Sequence, residues 1–260
     1  MFPNSHIRNV INSTLASTTR FWRGTSGSKK TQQPEHLPEL YDREGCPKCR
    51  LVREALTELN LDAMIYPCPE GGSRFAEKLE SLSGDCSVPF LVDPNTETRI
   101  SGAQEIIEYL FLEYRGSEPP KQISETALNL VSSHLTTWVR GLKGTQVKAS
   151  LAPSKPLTLY SFESSPFSRP VRERLCELEI PYRLINLSKQ QWADMGPAGH
   201  RLHLGKYRPL PGSKRELFLQ QHGEVQVPYL VDPNHQTELF ESVRILRYLD
   251  DYYARSSSSE

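Results

Sequence analysis

The chain has 260 residues, of which 31 are basic, 31 are acidic and 37% are apolar. This length allows two ordinary domains, and the even charge balance gives no indication of a nucleic-acid partner. No apolar run approaches the length of a membrane span, and five irregularly spaced cysteines argue against a secreted disulfide framework, so we expect a reducing, cytoplasmic location.

Residues 1–36 form a basic N-terminal extension. Its first 34 residues contain five Lys and Arg and no acidic residue, with many Ser and Thr, a composition that is typical of a transit peptide to an organelle matrix. The alternative, which we favour, is a short helix with Ile7, Val10, Ile11 and Leu15 on one face. That helix would dock on the body of the protein or lie peripherally on a membrane, followed by a flexible linker.

Residues 37–115 have the periodicity of a β-α-β-α-β-β-α domain. The predicted strands are 39–42, 61–66, 87–92 and a brief strand ending at Ile100, and the predicted helices are 47–60, 74–82 and 103–114. On the first helix, Val52, Leu56 and Leu59 share one face, which we expect to be buried. On the last helix, the expected inward residues are Ile106, Ile107, Leu110 and Tyr114.

The segment Cys46-Pro47-Lys48-Cys49 lies where the first strand gives way to a helix. Two cysteines three apart can close a disulfide across one helical turn, and proline suits the first helical position. Cys46 would face the free N–H groups of the helix, which favour a thiolate, and Arg43, Lys48 and Arg50 should act in the same direction. We therefore predict a pKa for Cys46 below its usual value of about 8.5, and a less reactive Cys49.

A C-x-x-C pair could instead bind zinc or be purely structural. A structural zinc site needs four ligands, and no second pair of Cys or His follows at metal spacing, so we expect no metal. Cys68 and Cys86 lie next to predicted turns, where either could be an additional resolving thiol or a half-buried cysteine. Cys176 falls inside a predicted helix and is expected to pack there.

An internal repeat relates residues 157–255 to residues 37–115. Ser165-Pro166-Phe167-Ser168-Arg169 matches Cys46-Pro47-Lys48-Cys49-Arg50, and the run from Val227 to Asn234 repeats the run from Val88 to Asn95. The second copy carries an insertion before its Val-Pro pair. The chain is therefore predicted to hold two copies of one α/β fold.

Residues 116–156 are predicted to form a helical linker between the copies. Leu128, Val131, Leu135 and Trp138 recur at three- and four-residue steps, so we expect this apolar stripe to wedge between the copies with Trp138 in the core.

The insertion of the second copy is rich in basic residues and histidines. It could rim an anionic ligand, although a solvated loop is the more common outcome for such a run. The residues are His200, Arg201, His203, Lys206, Arg208, Lys214 and Arg215.

The first copy resembles the glutaredoxins, and the second resembles the N-terminal domain of glutathione S-transferases. The run from Tyr41 to Cys49 is similar to the glutaredoxin strand, basic residue, glycine and C-P-x-C, and Ser87-Val88-Pro89 is similar to their T-V-P. The second resemblance rests on the run from Ser165 to Arg172, on Val227-Pro228 and on Glu241-Ser242. Both families have the thioredoxin fold, so the resemblance implies two tandem thioredoxin-like domains.

The same resemblance implies binding of glutathione as a co-substrate. It implies that both Val-Pro bonds are cis, with the valine backbone offered to the cysteine part of the ligand, and that the γ-glutamyl carboxylate lies at the N-terminus of the last helix. Arg43 stands where glutaredoxins carry a lysine for the glycine carboxylate. The implied glutathione-binding residues are Arg43, Val88, Pro89, Gln104, Ser165, Val227, Pro228, Glu241 and Ser242.

The activity implied is that of a glutathione-dependent thiol–disulfide oxidoreductase acting on protein or small-molecule disulfides, with Cys46 as nucleophile and Cys49 as resolving thiol. Two departures leave alternatives open. Ser165 and Ser168 replace both cysteines in the second copy, and we expect no all-helical transferase C-terminal domain. The alternatives are a non-catalytic glutathione-binding or scaffold protein, and a transferase-like activity.

Overall fold

The computed structural model describes residues 3–199, 201 and 205–255. Over these residues the chain is a mixed α/β structure with one eight-stranded sheet and eight α-helices. None of the helices in the described ranges is long and apolar enough to cross a bilayer. His200 and His203, two of the residues in the basic insertion, lie outside the described residues.

The helices and strands follow the predicted order in both copies. Before the first strand lies α1 (Pro3–Thr19). The first half, residues 37–115, contains β1 (Glu39–Asp42), α2 (Pro47–Glu58), β2 (Ala63–Pro67), α3 (Ala76–Ser83), β3 (Phe90–Asp93), β4 (Thr98–Ser101) and α4 (Ala103–Arg115). After α5 (Ala127–Val139), the second half, residues 157–255, contains β5 (Leu157–Ser161), α6 (Arg169–Glu177), β6 (Tyr182–Asn186), a 3-10 turn (Trp192–Asp194), α7 (Lys214–His222), β7 (Tyr229–Asp232), β8 (Thr237–Phe240) and α8 (Ser242–Tyr253).

The eight strands form one continuous sheet in the order β4-β3-β1-β2-β6-β5-β7-β8. In each half the first two strands are parallel and the other pairs are antiparallel. The halves join where β2 pairs antiparallel with β6, with Ile65 opposite Tyr182. The sheet order is therefore nearly the same when it is read from either edge.

One apolar core runs through both halves beneath the sheet. Val52, Leu56 and Leu59 of the first half are fully buried, as predicted from their spacing. The inward residues predicted for α4 are also buried. Since the burial of one such side chain stabilises the fold by about 1.5–3 kcal/mol, these helices are held mainly by packing against the sheet.

The linker contains a helix, α5, as predicted, but the helix turns its apolar stripe to solvent and not to the core. The side chain of Trp138 is 80% exposed and the rest of its apolar stripe also faces solvent, so the prediction of core packing was wrong. The buried face is polar, with Ser133, Thr136 and Thr137. The physical reason is the surface beneath it, where the guanidinium of Arg50 needs acceptors: its Nη1 lies 2.6 Å from the Ser133 carbonyl oxygen and 3.1 Å from Thr137 Oγ1.

Helix α1 docks in the same reversed way. Ile7, Ile11 and Leu15, which were expected to be the docking face, are exposed, whereas Ser13 and Ser17 are buried. The stretch after α1 was expected to be a flexible linker, and this expectation was also wrong at its start. The side chains of Arg20 and Thr25 are buried against the body, since Arg20 forms an ion pair with Glu54 and Thr25 hydrogen-bonds Ser164.

Helices α1 and α5 make equivalent contacts with the two halves. Arg20 after α1 binds Glu54 of α2, and Arg140 after α5 binds Glu173 of α6. Each half also donates a hydrogen bond to one of these helices. Arg50 of the first half donates to the Ser133 carbonyl of α5, and Arg169 of the second half donates to the Ser13 carbonyl of α1. Each half is thus preceded by one helix, and each helix contacts both halves.

Candidate functional site

Cys46 occupies the N-cap position of α2, and Pro47 is the first residue of the helix. The Sγ of Cys46 accepts a hydrogen bond from the backbone N–H of Cys49 at 3.5 Å. Cys46 is half-buried, whereas Cys49 is fully buried one turn into the helix. The two cysteines are both free thiols, and the geometry presents the first of them to solvent.

The pKa of the Cys46 thiol is lowered to about 6. The main cause is the hydrogen bond from the Cys49 thiol; burial opposes it, and the backbone N–H groups of Cys49 and Lys48 add to it. The pKa of Cys49 is raised well above its usual value because the group is desolvated. The lowered pKa predicted for Cys46 is confirmed, and with a pKa of about 6 Cys46 is largely a thiolate at neutral pH.

Nearby cations make the smaller contribution to this shift, and it comes from Lys48, whose charge attracts the Cys46 thiolate. Lys48 pairs with Glu125 at 3.0 Å, and Arg43 pairs with Glu70 at 2.8 Å and donates to the Cys68 carbonyl. Arg50 is buried under α5. Hydrogen bonds at the start of the helix are therefore the main cause of the stabilised thiolate.

Gln104, the residue expected to bind a γ-glutamyl group in the first half, is engaged elsewhere. Its Oε1 accepts from the backbone N–H of Glu125, and its Nε2 donates to Glu108. Helix α4 begins at Ala103 and α8 begins at Ser242, so the counterpart of Ser242 is Ala103 and not Gln104. Gln104 holds the linker onto the first half.

The two Val-Pro bonds, Val88-Pro89 and Val227-Pro228, are both cis, as predicted. Each bond lies directly before the third strand of its half. Val227 and Pro228 line the cavity described below.

The remaining cysteines differ in their surroundings. Burial raises the pKa of Cys68 to about 12, so this thiol is protonated at neutral pH. Cys86 is exposed. Cys176 is buried in α6, as predicted, and its Sγ donates to the Gly144 carbonyl at 3.3 Å. No group of three or more His, Cys, Asp or Glu in the described ranges is arranged to hold a metal ion.

In the second half, Ser165 stands where Cys46 stands in the first. Its Oγ is buried and accepts from the backbone N–H of Ser168 at 3.2 Å, as Cys46 accepts from Cys49. The helix itself begins later, at Arg169, because residues 166–168 form a turn. The second half keeps the geometry of the first site but carries a hydroxyl in place of the thiolate.

Glu241 precedes α8 with a backbone φ of 70°, in the left-handed region that side chains rarely adopt. Its counterpart in the first half is Gly102, with a φ of 95°. A glycine adopts such a conformation at no steric cost, whereas a glutamate is strained there. Strain of this kind tends to persist where the side chain has a function, and Glu241 and Ser242 both line a cavity.

A cavity of about 680 Å³ opens in front of Ser165. Its lining includes Ser165, Val227 and Ser242 together with a set of apolar side chains. Trp22, from the segment after α1, is part of this lining. The apolar residues of the cavity include Trp22, Phe162, Phe167, Met195, Pro197 and Val225.

Three cations of the second half line the same cavity: Lys189, Arg201 and Arg215. Burial, together with the charges of the two arginines, lowers the pKa of Lys189 to about 8. Arg215 donates to the Leu187 and Ser188 carbonyls, and Arg201 donates to the Val225 carbonyl. The basic insertion is therefore partly built into a site and is not only a solvated loop.

Two segments of the chain match the family described as glutathione S-transferase, N-terminal domain: residues 40–118 and 159–257. Together they cover more than half of the chain. The chain belongs to this family. Searches of curated proteins and of solved structures gave no match.

The glutathione S-transferase N-terminal domain has a thioredoxin-like fold, which agrees with the α/β arrangement of both matched segments. The matches begin at Leu40 and Leu159, on the first strand of each half. Membership of this family suggests a function related to glutathione.

A buried ionic cluster beneath both sites is absent from our sequence predictions. Glu44 and Glu163, each two residues before Cys46 or Ser165, both contact the guanidiniums of Arg53 and Arg172 at 2.9–3.2 Å. Burial alone would raise the pKa of Glu163, but the arginines, chiefly Arg172 and Arg53, bring it down to about 2. The sequence does contain a pattern that could have predicted this cluster. Val-Arg-Glu is repeated on the two helices, and it places charged residues within a stretch that is otherwise buried.

Proposed function

We propose that the protein is a glutathione-dependent thiol–disulfide oxidoreductase built from two tandem thioredoxin-like domains, a glutaredoxin-like first domain and a second domain that binds without redox chemistry. The observation that carries this proposal is the thiolate of Cys46, with a pKa of about 6 and the buried thiol of Cys49 beside it. A thiolate is the attacking species in disulfide exchange, and a thiol with a pKa near the ambient pH is the most effective one.

In the proposed reaction, the Cys46 thiolate attacks one sulfur of a substrate disulfide and expels the other sulfur as a thiolate, which takes up a proton. The resulting mixed disulfide removes the negative charge from Cys46. Since the Cys46 thiolate is one of the causes that raise the pKa of Cys49, Cys49 then loses its proton more easily. It attacks the Sγ of Cys46 and releases the reduced substrate, and two glutathione molecules restore the dithiol as they become glutathione disulfide.

The second half supports a binding role for the cavity in front of Ser165. A serine hydroxyl is a weak nucleophile at neutral pH and cannot form a disulfide. The donor set nevertheless suits a glutathione-like anion, because Lys189, Arg201 and Arg215 are cationic and Glu241 can accept from an amine. We assign Ser165, Val227, Pro228, Glu241 and Ser242 to this site.

The test is glutathione-linked reduction of a small disulfide by the purified full chain and two matched variants. Cys46→Ser should reduce the rate to background, because the hydroxyl cannot attack a disulfide. Ser165→Ala, the equivalent change in the second half, should leave the rate unchanged.

The alternative reading is a non-catalytic glutathione-binding protein, or a transferase that uses Ser165. Turnover that survives Cys46→Ser, or that stops in Ser165→Ala, would replace our assignment with that alternative. Calorimetry with glutathione on both variants gives the binding role a separate test, because Cys46→Ser should leave a site in the second half able to bind.

A further inference from the structure

Helices α1 and α5 lie side by side and present a continuous set of exposed apolar residues, which we call the apolar face. Its side chains are between 42% and 84% exposed. The contact between the two helices is itself polar, with Thr19 Oγ1 at 2.7 Å from Thr136 Oγ1. The apolar face consists of Ile7, Ile11, Leu15, Phe21, Trp22, Leu128, Val131, Leu135, Trp138 and Leu142.

This orientation is the reverse of that of an ordinary surface helix. A helix on a water-exposed surface normally turns its apolar stripe toward the core and its polar side outward. Here both helices bury serines and threonines and expose isoleucines and leucines. Isolated exposed apolar residues are common, but a set of ten on two neighbouring helices and the turns after them marks an interaction surface.

The turn after α1 adds Phe21 and Trp22 to the apolar face, and both residues have a strained backbone conformation. Phe21 and Trp22 have φ values of 53° and 56°, in the left-handed region. The equivalent turn after α5 has Gly141 and Leu142 at 63° and 58°. Two bulky aromatic residues therefore occupy positions that favour glycine, and the Phe21 ring projects almost fully into solvent.

Helices α1 and α5 and the turns after them carry basic residues and no acidic residue. Two of these basic residues, Arg20 and Arg140, are buried in ion pairs with glutamates, which leaves Arg8, Arg23 and Lys143 as the cations near the apolar face. Arg8 is exposed between Ile7 and Ile11 on α1. Lys143 follows α5 and donates to Asn9 of α1 at 2.7 Å. The guanidinium of Arg23 lies 5.9 Å from the centre of the Phe21 ring.

This charge pattern distinguishes between possible partners. In a symmetric pair of chains the apolar face would meet itself, and Arg8 and Lys143 would find no carboxylate opposite them. An anionic lipid surface supplies negative charge next to an apolar interior, and tryptophans are favoured at that boundary. We infer that the apolar face binds peripherally to an anionic lipid bilayer, with Ile11, Leu135 and Trp138 inserted among the lipids.

The proposal is independent of the redox chemistry proposed above, and its test uses no disulfide. The full chain is floated in a density gradient with vesicles of pure phosphatidylcholine, or with vesicles of equal parts phosphatidylcholine and phosphatidylserine. Flotation separates vesicle-bound protein from aggregates. We expect the chain to float with the anionic vesicles only, and to bind less as salt screens the charges.

Three variants locate the contact. Leu135→Glu should abolish flotation, because a charge would enter the apolar face. Arg8→Gln should weaken binding roughly fivefold, the effect expected for one cation near an anionic membrane. The matched control is Leu112→Glu on α4, a leucine that is more exposed than Leu135 (71% against 52%) and lies outside the apolar face, and this variant should bind as the unmodified chain does.

The changed residues are exposed, so circular dichroism and thermal unfolding should show that all variants fold. Two results would overturn the inference. The first is no flotation of the unmodified chain with anionic vesicles. The second is a stable dimer in sedimentation that Leu135→Glu dissociates, because the apolar face would then be occupied by a second copy.

Discussion

Cys46 in the first half and Ser165 in the second half occupy equivalent positions. Each lies four residues after the end of the first strand of its half. Each accepts a hydrogen bond from the backbone N–H three residues later. In the first half the thiol of Cys49 also hydrogen-bonds Cys46, whereas in the second half the buried hydroxyl of Ser168 has no hydrogen-bond partner among the described residues. The two halves therefore differ at these two positions in having sulfur or oxygen in the side chain.

The surroundings of the two positions differ in a second way. The cavity in front of Ser165 is lined by Trp22 and by residues of the insertion of the second half, among them the cations Lys189 and Arg215. The first half has no counterpart of this insertion in its sequence. The two halves therefore share one backbone arrangement, which carries two cysteines in the first half and a serine beside a cavity in the second.

Among changes at the two equivalent sites, we expect Cys49→Ala to have the largest effect on activity. Without a resolving thiol, reduction of protein disulfides should fall to background, whereas removal of a single glutathione from a protein thiol should continue. Because the Cys49 thiol is the main cause of the low pKa of Cys46, the remaining activity should require a higher pH.

The matched control is Ser168→Ala, the same position in the second half. It should change neither activity. A rate of dithiol reduction in Cys49→Ala equal to that of the unmodified chain would remove the resolving role from Cys49.

The shared ionic cluster should have the next largest effect, on stability. Glu163→Gln should lower the free energy of unfolding by about 3–5 kcal/mol, because it removes one of the two buried glutamates that pair with Arg53 and Arg172. Asp250→Asn, which breaks an exposed pair with Arg174, should cost only about 0–1 kcal/mol. Urea unfolding measures both values, and equal costs would contradict the cluster's role.

The same cluster predicts a pH dependence. The pKa of Glu163 is lowered to about 2 in the folded chain, against about 4.3 in the unfolded one. Its contribution is therefore complete above about pH 4.3 and is lost as the pH falls toward 2. The difference in stability between the unmodified chain and Glu163→Gln should shrink over that range, and a difference that grew would contradict the sign.

Smaller effects on stability and binding are expected at the start of the last helix of each half, at Glu241 and Gly102. Glu241→Gly should stabilise the fold by about 0.4–1 kcal/mol, because it relieves a left-handed glutamate, and it should weaken glutathione binding roughly tenfold. Gly102→Ala should instead destabilise by about 1–2 kcal/mol, since it places a side chain at a φ of 95°. Thermal unfolding and calorimetry measure the two effects, and unchanged binding in Glu241→Gly would remove Glu241 from the site.

Much of the fold was predictable because it depends on local patterns. The periodic spacing of Val52, Leu56 and Leu59 identified a buried helix face, and the repeat identified a second copy of the same element order. The lowered pKa of Cys46 was also predictable from its place before Pro47. The cause was not, because the hydrogen bond from the Cys49 thiol and the diversion of Lys48 to Glu125 depend on the folded geometry.

The orientation of α5 was not predictable from its periodicity. A period of three and four residues shows that Leu128 and Leu135 share a face, but it does not say what that face meets. The missed signal lay in the repeat itself, which extends to Arg20 and Arg140, each followed four residues later by a Gly-Thr pair. That extension would have indicated that α1 and α5 are equivalent elements with a polar docking side.

The pH dependence of alkylation of Cys46 tests the central claim most directly. The full chain is treated with iodoacetamide over a range of pH, and modification of the peptide that holds Cys46 is followed by mass spectrometry. We predict a rate that rises with a midpoint at about pH 6, as the thiolate forms. A midpoint at or above about 8.5, the value of an ordinary cysteine, would contradict the assignment of redox chemistry to the first half.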